Sequence, residues 1–152
     1  MYPIRAIVVG KPKFEFVSQL ENHYKKLIKS YVRLEILEFQ EGKGQGERQL
    51  LDEAIRIKNA LSGFHWQILL DADGTQRSSE KFALWLGNRI DLGESLAFAI
   101  GSSHGFHPSL KSDIKEHMSL SSMTFPHDLS RILFFEQLYR AFCILNGKTY
   151  HK

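Results

Sequence analysis

The sequence predicts a layered α/β fold, a mostly parallel sheet with helices on both faces, on three observations. Short apolar runs alternate with longer stretches whose apolar residues recur every three or four positions. Neither a repeat nor a linker-like segment interrupts that alternation. Small polar and glycine-rich turns follow the apolar runs, as at Asp71-Ala72-Asp73-Gly74 and Gly101-Ser102-Ser103-His104-Gly105.

Each element has its own justification. Ile4 to Val9 is a short, mostly apolar run ending in Gly10, and predicts a buried strand. Val17, Leu20, Tyr24, Leu27, Ile28 and Tyr31 recur at helical spacing, with Lys25, Lys26 and Lys29 mostly on the outer face. Leu34 to Phe39 is a second strand, and the polar stretch Gln40 to Gly46, with three glycines, a mobile loop. Leu50, Leu51, Ala54, Ile55, Lys58 and Leu61 mark a second helix that stops near Gly63. Trp66 to Leu70 is a third strand, after which Asp71 to Gly74 is expected to turn the chain sharply. Ser78 or Ser79 caps a helix that runs to about Ile90, with Glu80 well placed in its first turn. Leu96 to Ile100 is a fourth strand. Pro108 opens a helix to about His117, and Leu120 to Phe125 is a fifth strand or a strand-like loop. A final helix spans roughly Asp128 to Leu145 and stops near Gly147.

That last helix is apolar around most of its circumference, from Leu129 and Ile132 through Phe134, Phe135 and Leu138 to Phe142. Such a helix needs cover on two sides. One side packs on its own sheet, and the other is expected to meet a second copy of the chain, so a homodimer is anticipated. Glu136 and Arg140, four apart, can pair on the remaining stripe.

At 152 residues the chain is expected to form one domain, residues 1–152, with a core that needs no staples. Its 43% hydrophobic and 24% charged content are ordinary globular values. The single cysteine, Cys143, excludes an intrachain disulfide and reads as core packing rather than a nucleophile. No stretch approaches the length of a membrane helix, and the early apolar run is too short for a secretory signal. A cytoplasmic protein without a membrane partner is therefore expected. Net charge +3 permits an RNA partner, and the basic residues are densest at Lys11, Lys13, Lys25, Lys26, Lys29 and Arg33.

Several motifs fail on spacing. Gly42-Lys43-Gly44-Gln45-Gly46 lacks the register and ending of a phosphate loop. Asp71-Ala72-Asp73-Gly74 lacks the further ligands of a calcium loop. His104 and His107 have no cysteine or further histidine pattern to complete a zinc site, so no metal is expected. Ser103, between Gly101 and Gly105, loosely matches a hydrolase elbow, but no Asp-then-His pair is evident downstream. By contrast, the loops Leu70 to Gly74, Gly101 to Gly105 and Leu120 to Phe125 all fall at or near carboxyl ends of strands. That is where open α/β sheets bind ligands, and a nucleoside cofactor suits such a crevice.

The C-terminal block carries a resemblance. Ser119-Leu120-Ser121, Met123-Thr124-Phe125-Pro126-His127, Arg131, Glu136-Gln137, Tyr139-Arg140-Ala141 and Tyr150-His151 resemble the signature of the SPOUT-type methyltransferases that methylate N3 of a pseudouridine in 23S ribosomal RNA, the RlmH or YbeA-like family. The opening strand Ile4 to Gly10, the block Leu70-Asp71 to Gly74 with Ser78-Ser79-Glu80 and Phe82-Ala83, and Phe98 to Gly101 with Gly105 extend the resemblance over nearly the whole chain. It departs at Ser102, where the family usually has a second glycine, at His104 and at Asp128.

The resemblance implies a C-terminal trefoil knot, a homodimer, and S-adenosyl-L-methionine as the methyl donor. By position it implies donor contacts at Leu70, Gly101, Leu120, Ser121, Ser122, Met123, Thr124 and Phe125. The implied substrate is 23S rRNA in the assembled ribosome. Candidate roles are Arg140 for stabilising the developing uracil-like anion, Glu136 for holding it, His151 as proton acceptor and Tyr150 as a stacking or positioning group. A non-catalytic ribosome-binding module of the same fold and a nucleotide-dependent small-molecule enzyme are the alternatives.

Overall fold

The computed structural model describes residues 3–150. Five strands, β1 (Pro3–Val9), β2 (Arg33–Phe39), β3 (Trp66–Gln76), β4 (Leu96–Ile100) and β5 (Glu116–Ser119), form one sheet in the order β2-β1-β4-β3-β5. Every pairing is parallel. Five helices connect or follow them: α1 (Glu15–Ile28), α2 (Glu47–Leu61), α3 (Ser79–Asp91), α4 (Pro108–Asp113) and α5 (His127–Leu145).

The strands are apolar on both sides because both sides are covered. Ile4, Ala6 and Val8 of β1, with Leu96, Phe98 and Ile100 of β4, join a core that includes Ile28 of α1, Phe82 and Leu86 of α3 and Phe134 and Phe135 of α5. Ile7, Val9, Ala97 and Ala99 point the other way, into a smaller core with Ile57 and Leu61 of α2 and Leu110 of α4.

The structure departs from the sequence reading in four places. Strand β3 does not end at Leu70 but runs to Gln76, and Leu70 and Thr75 both pair with Met118, so Asp71 to Gly74 is a bulge within the strand. Gly74 is required there by proximity, since a Cβ on it would lie 2.6 Å from the His117 carbonyl group. Second, α4 is short and β5 begins at Glu116, while residues 120–125 form an irregular loop rather than the fifth strand. Third, the glycine loop is anchored at its start, because the Gly42 amide donates to Glu53 Oε2 at 2.8 Å. Fourth, Phe134 and Phe135 are both fully buried in the chain's own core, so neither of them faces a partner.

Other expectations hold. Ser78 caps α3 by accepting from the Lys81 amide, and Cys143 is a buried free thiol. Among the described residues no helix is long and apolar enough to cross a membrane.

Candidate cofactor cleft and the α5 cluster

The carboxyl ends of β3, β4 and β5 open onto a cleft of about 230 Å³. Its wall holds Leu70, Gly101, Leu120, Ser121, Met123, Thr124 and Phe125, which is every anticipated donor contact except Ser122. The lining is mixed in a way that fits S-adenosylmethionine. Leu70, Ile100, Met118, Leu120 and Phe125 offer apolar faces for a purine, and Asp71, Ser121, Thr124 and Ser130 offer polar groups at its margin.

The Gly101 loop is closed on itself. Ser102 and Gly105 form an antiparallel bridge, and a Cβ on Gly101 would lie 2.9 Å from the Gly105 carbonyl oxygen and 3.0 Å from the Phe106 ring. Only glycine lets the loop fold this tightly. The serine at position 102 has a use of its own: its hydroxyl donates to Glu53 Oε1 at 2.9 Å, and the same carboxylate accepts from Gly42 N and Gln49 Nε2. Glu53 is buried, so the glycine loop after β2 and the Gly101 loop after β4 share one anchor. That arrangement ties Ser102, where the resembling family usually has glycine, to a buried carboxylate. Among the described residues no group of acidic, cysteine or histidine side chains is arranged to hold a metal ion.

His127 also lines the cleft, although the sequence reading assigned it no role. Its Nδ1 lies 3.0 Å from the Gly101 carbonyl oxygen. Since a carbonyl only accepts, Nδ1 carries the proton and Nε2, which is buried without a partner, is the bare nitrogen. Burial, reinforced by the nearby Arg131 cation, holds this imidazole below its ordinary value of 6.5. The ring is therefore neutral and fastens the start of α5 to the Gly101 loop. The only hint in the sequence was its place directly after Phe125-Pro126.

Arg131, one turn on, is completely buried and stitches three elements together. It donates to Glu21 of α1 at 2.8 and 2.9 Å, to Glu38 of β2 at 2.8 Å and to the Gly10 carbonyl at 2.6 Å. Lys25 completes the group by pairing with Glu21. Asp128, in the first turn of α5, accepts from the Lys13 amide at 2.8 Å.

The candidate catalytic residues gather elsewhere. Arg140 pairs with Glu136 at 2.5 Å, its guanidinium lies 5.0 Å from the Tyr150 ring centre, and the Tyr150 hydroxyl donates to Glu136 at 3.2 Å. Burial, with hydrogen bonding to Tyr24 and the charge of Glu136, pushes the Tyr150 hydroxyl well above its ordinary range, so it stays a neutral phenol. His151 lies outside the described residues. From His127 at the cleft to Arg140 the helix advances about 20 Å at its normal rise. Within one chain, the cleft touches the first turn of α5 at His127 and Ser130, and the cluster is built on its middle and later turns at Glu136 and Arg140.

Comparison with known proteins adds the following. A family model described as "Predicted SPOUT methyltransferase" matches residues 2–151. Proteins named ribosomal RNA large subunit methyltransferase H are similar over nearly their whole length. The one from Thermodesulfovibrio yellowstonii is 36% identical over 151 residues, covering 99% of each chain. The one from Geotalea uraniireducens is 38% identical over 150 residues, covering 97% of this chain and 98% of its own. Among solved structures, a putative methylase family protein from Neisseria gonorrhoeae superposes with a TM-score of 0.55 at 10% identity, covering 90% of this chain and 81% of that one. TrmJ from Z. mobilis gives 0.55 at 7% identity, covering 93% and 70%. At those identities the superpositions speak for the fold alone.

Proposed function

The chain belongs to the SPOUT methyltransferase family, and from that premise we propose that it methylates N3 of a pseudouridine in 23S ribosomal RNA, on the assembled ribosome, with S-adenosylmethionine as donor. The coarser statement, an S-adenosylmethionine-dependent ribosomal RNA methyltransferase, rests on the family and on full-length relatives of that name. The observation that carries the site is the cleft at the ends of β3, β4 and β5, walled by the residues that resemble the family's donor contacts.

When bound, the donor supplies an electrophilic methyl group on a sulfonium. The protein's share of the work is to hold the acceptor in line and to stabilise the anion left when N3 loses its proton. We assign anion stabilisation to Arg140, held by Glu136, positioning or stacking to Tyr150, and proton acceptance to His151. Since Arg140 lies about 20 Å along α5 from His127 at the cleft, we propose a homodimer with α5 helices running antiparallel, so that the partner's Arg140 and tail serve the cleft. A two-fold interface of that kind places the end of one helix over the start of the other.

Exposed apolar residues support that interface. Leu129 on α5 is 48% exposed, and Phe14 and Phe16 at the start of α1 are also exposed beside it, where the Lys13–Asp128 bond joins the two helix ends. We also propose the trefoil knot. The chain leaves β5 at the sheet's edge, yet the first turns of α5 are bonded to the loops that follow β1 and β4. The whole of 1–152 is taken as one domain, and the ribosomal substrate places it in the cytoplasm.

The test is transfer of labelled methyl groups to ribosomes that lack the modification, followed by mapping of the modified base. Incorporation at N3 of one pseudouridine in the large subunit is expected. Ribosome binding without incorporation would instead favour a non-catalytic module.

A further inference from the structure

The Leu120–Phe125 loop borders more than the cofactor cleft. A second cavity of about 350 Å³ shares Met118, Leu120 and Phe125 with the first and extends to Arg77, Ser79, Phe82, Leu133 and Gln137. Its lining pairs broad apolar faces with a few fixed polar groups, the usual make-up of a small-molecule site.

Arg77 is the informative residue. Its guanidinium lies 4.9 Å from the centre of the Trp85 ring, and Nη2 reaches Glu116 only at 3.4 Å. Nη1 is buried and has no partner. A buried charged donor without an acceptor is costly and calls for an explanation. Across the cavity the Ser79 hydroxyl donates to Gln137 Oε1 at 2.7 Å, and Gln137 Nε2 donates to Glu136 at 3.0 Å, so the amide is fixed in orientation.

This chemistry selects a flat ring with carbonyl oxygens. Phe82, Phe125 and Leu133 offer the faces, and Arg77 offers a charge-assisted donor to a carbonyl. A phosphate fits poorly, since Glu116 sits beside the single cation. We propose that this cavity seats the acceptor uracil ring and that Arg77 stabilises the charge on its carbonyl oxygens as N3 is deprotonated. The proposal rests on the methyltransferase reading above.

The step balances simply. The N3 proton leaves to the proton acceptor, and the N3 electron pair forms the new N–CH3 bond. The S–CH3 bond breaks with its electrons remaining on sulfur, giving the thioether, and one proton is released. Methyl transfer needs near contact of the reacting atoms, and a base here lies against the same loop that lines the donor cleft.

The test uses the full-length Arg77→Gln protein with ribosomes lacking the modification, alongside calorimetry with S-adenosylhomocysteine. Turnover should fall about 10²-fold, as when one donor to a developing oxyanion is removed, while S-adenosylhomocysteine affinity stays within about twofold of wild type, well under the tenfold that 1.4 kcal/mol represents. The deficit should shrink as pH rises, because alkali assists loss of the N3 proton. A merely structural role would not give that pH dependence. Should Arg77→Gln fail to fold, Arg77→Lys keeps the charge and stem and should show an intermediate loss.

Wild-type turnover by either folded variant overturns the proposal. So does an affinity loss of about tenfold or more for S-adenosylhomocysteine, which would assign the cavity to part of the donor. If the wild type itself leaves ribosomes unmethylated, both this inference and the functional reading fall. If the wild type is active and Arg77→Gln matches it, only the inference falls.

Discussion

Arg131 shows how much a single residue organises. It is entirely buried, which a guanidinium tolerates only when its donors are met, and here Glu21, Glu38 and Gly10 meet them. Burial pulls the Glu21 carboxyl upward, but hydrogen bonds from Arg131 and Lys25 outweigh it, and the group ends below its ordinary 4.5. Replacing Arg131 with Met should cost about 3–5 kcal/mol in urea unfolding, because two carboxylates lose their shared cation. A loss below about 1 kcal/mol, the scale of a surface pair, would show that the network is incidental. His127 sets a second test. Its folded-state value is lowered, so the unfolded chain takes up a proton first as pH falls through 6.5. The stability it contributes is complete above that value and is lost on acidification toward the lower folded value. Between about pH 7 and 5, unfolding free energy should decline in the wild type and decline less in His127→Gln. Equal slopes would mean that the imidazole is not held neutral. Glu21 adds a later loss below 4.5, which should shrink with Arg131→Met, leaving only the share held by Lys25.

At the scale of elements, the Gly101 loop after β4, which we propose contacts the donor, is tightly constrained in shape. Gly101→Val would drive its side chain into the Gly105 carbonyl and the Phe106 ring, which sit 2.9 and 3.0 Å from the Cβ position. The loop must open, and S-adenosylhomocysteine binding by calorimetry should disappear while the sheet still folds; full affinity in the folded variant would remove Gly101 from the site. This loop was legible in the sequence because glycines directly after a buried run have few other uses. The strands β1, β2 and β4 and the helices α1, α2, α3 and α5 were legible for a similar reason, since apolar residues recur at the spacing of the faces they largely bury, whereas α4, announced only by Pro108, ends at Asp113 and not near His117. Strand β5 was not legible. Glu116-His117-Met118-Ser119 carries too little apolar pattern to announce a strand, and its pairing comes from β3 alone. Of the apolar residues just beyond it, Met123 and Phe125 line cavities, and Leu120 lines them too while packing on the margin of the core, so the run imitates a strand. The extension of β3 past Leu70 was hidden because Asp71 to Gly74 has the composition of a turn while forming a bulge.

The whole molecule poses the question that no single chain answers. Along α5 the cleft residues His127 and Ser130 and the cluster residues Glu136 and Arg140 are separated by about 9 Å (Ser130 to Glu136) to about 20 Å (His127 to Arg140). Sequence reasoning named both groups, but which of them meet depends on how a second copy packs, which residue identities do not reveal. If the helices pair antiparallel, each cleft is served by the other protomer's cluster, and complementation can show it. One protein carries Gly101→Val, which spoils the cleft and leaves the tail intact. The other carries Tyr150→Ala and His151→Ala, which spoil the tail and leave the cleft intact. Each alone should be nearly inactive, the second by about 10²–10⁴-fold if the imidazole takes the proton. After equimolar mixing through denaturation and refolding, half of the dimers are mixed, and each mixed dimer holds one complete site. Activity should return to about a quarter of wild type. No recovery, with mixed dimers confirmed by mass, would mean that each tail serves its own cleft. A wild type that stays monomeric in light scattering at all concentrations would exclude the shared site altogether. Leu129→Asp gives the converse control. It places a charge on the exposed start of α5, should weaken the dimer, and should lower methylation in proportion to the dimer lost while leaving the buried Phe134–Phe135 core untouched.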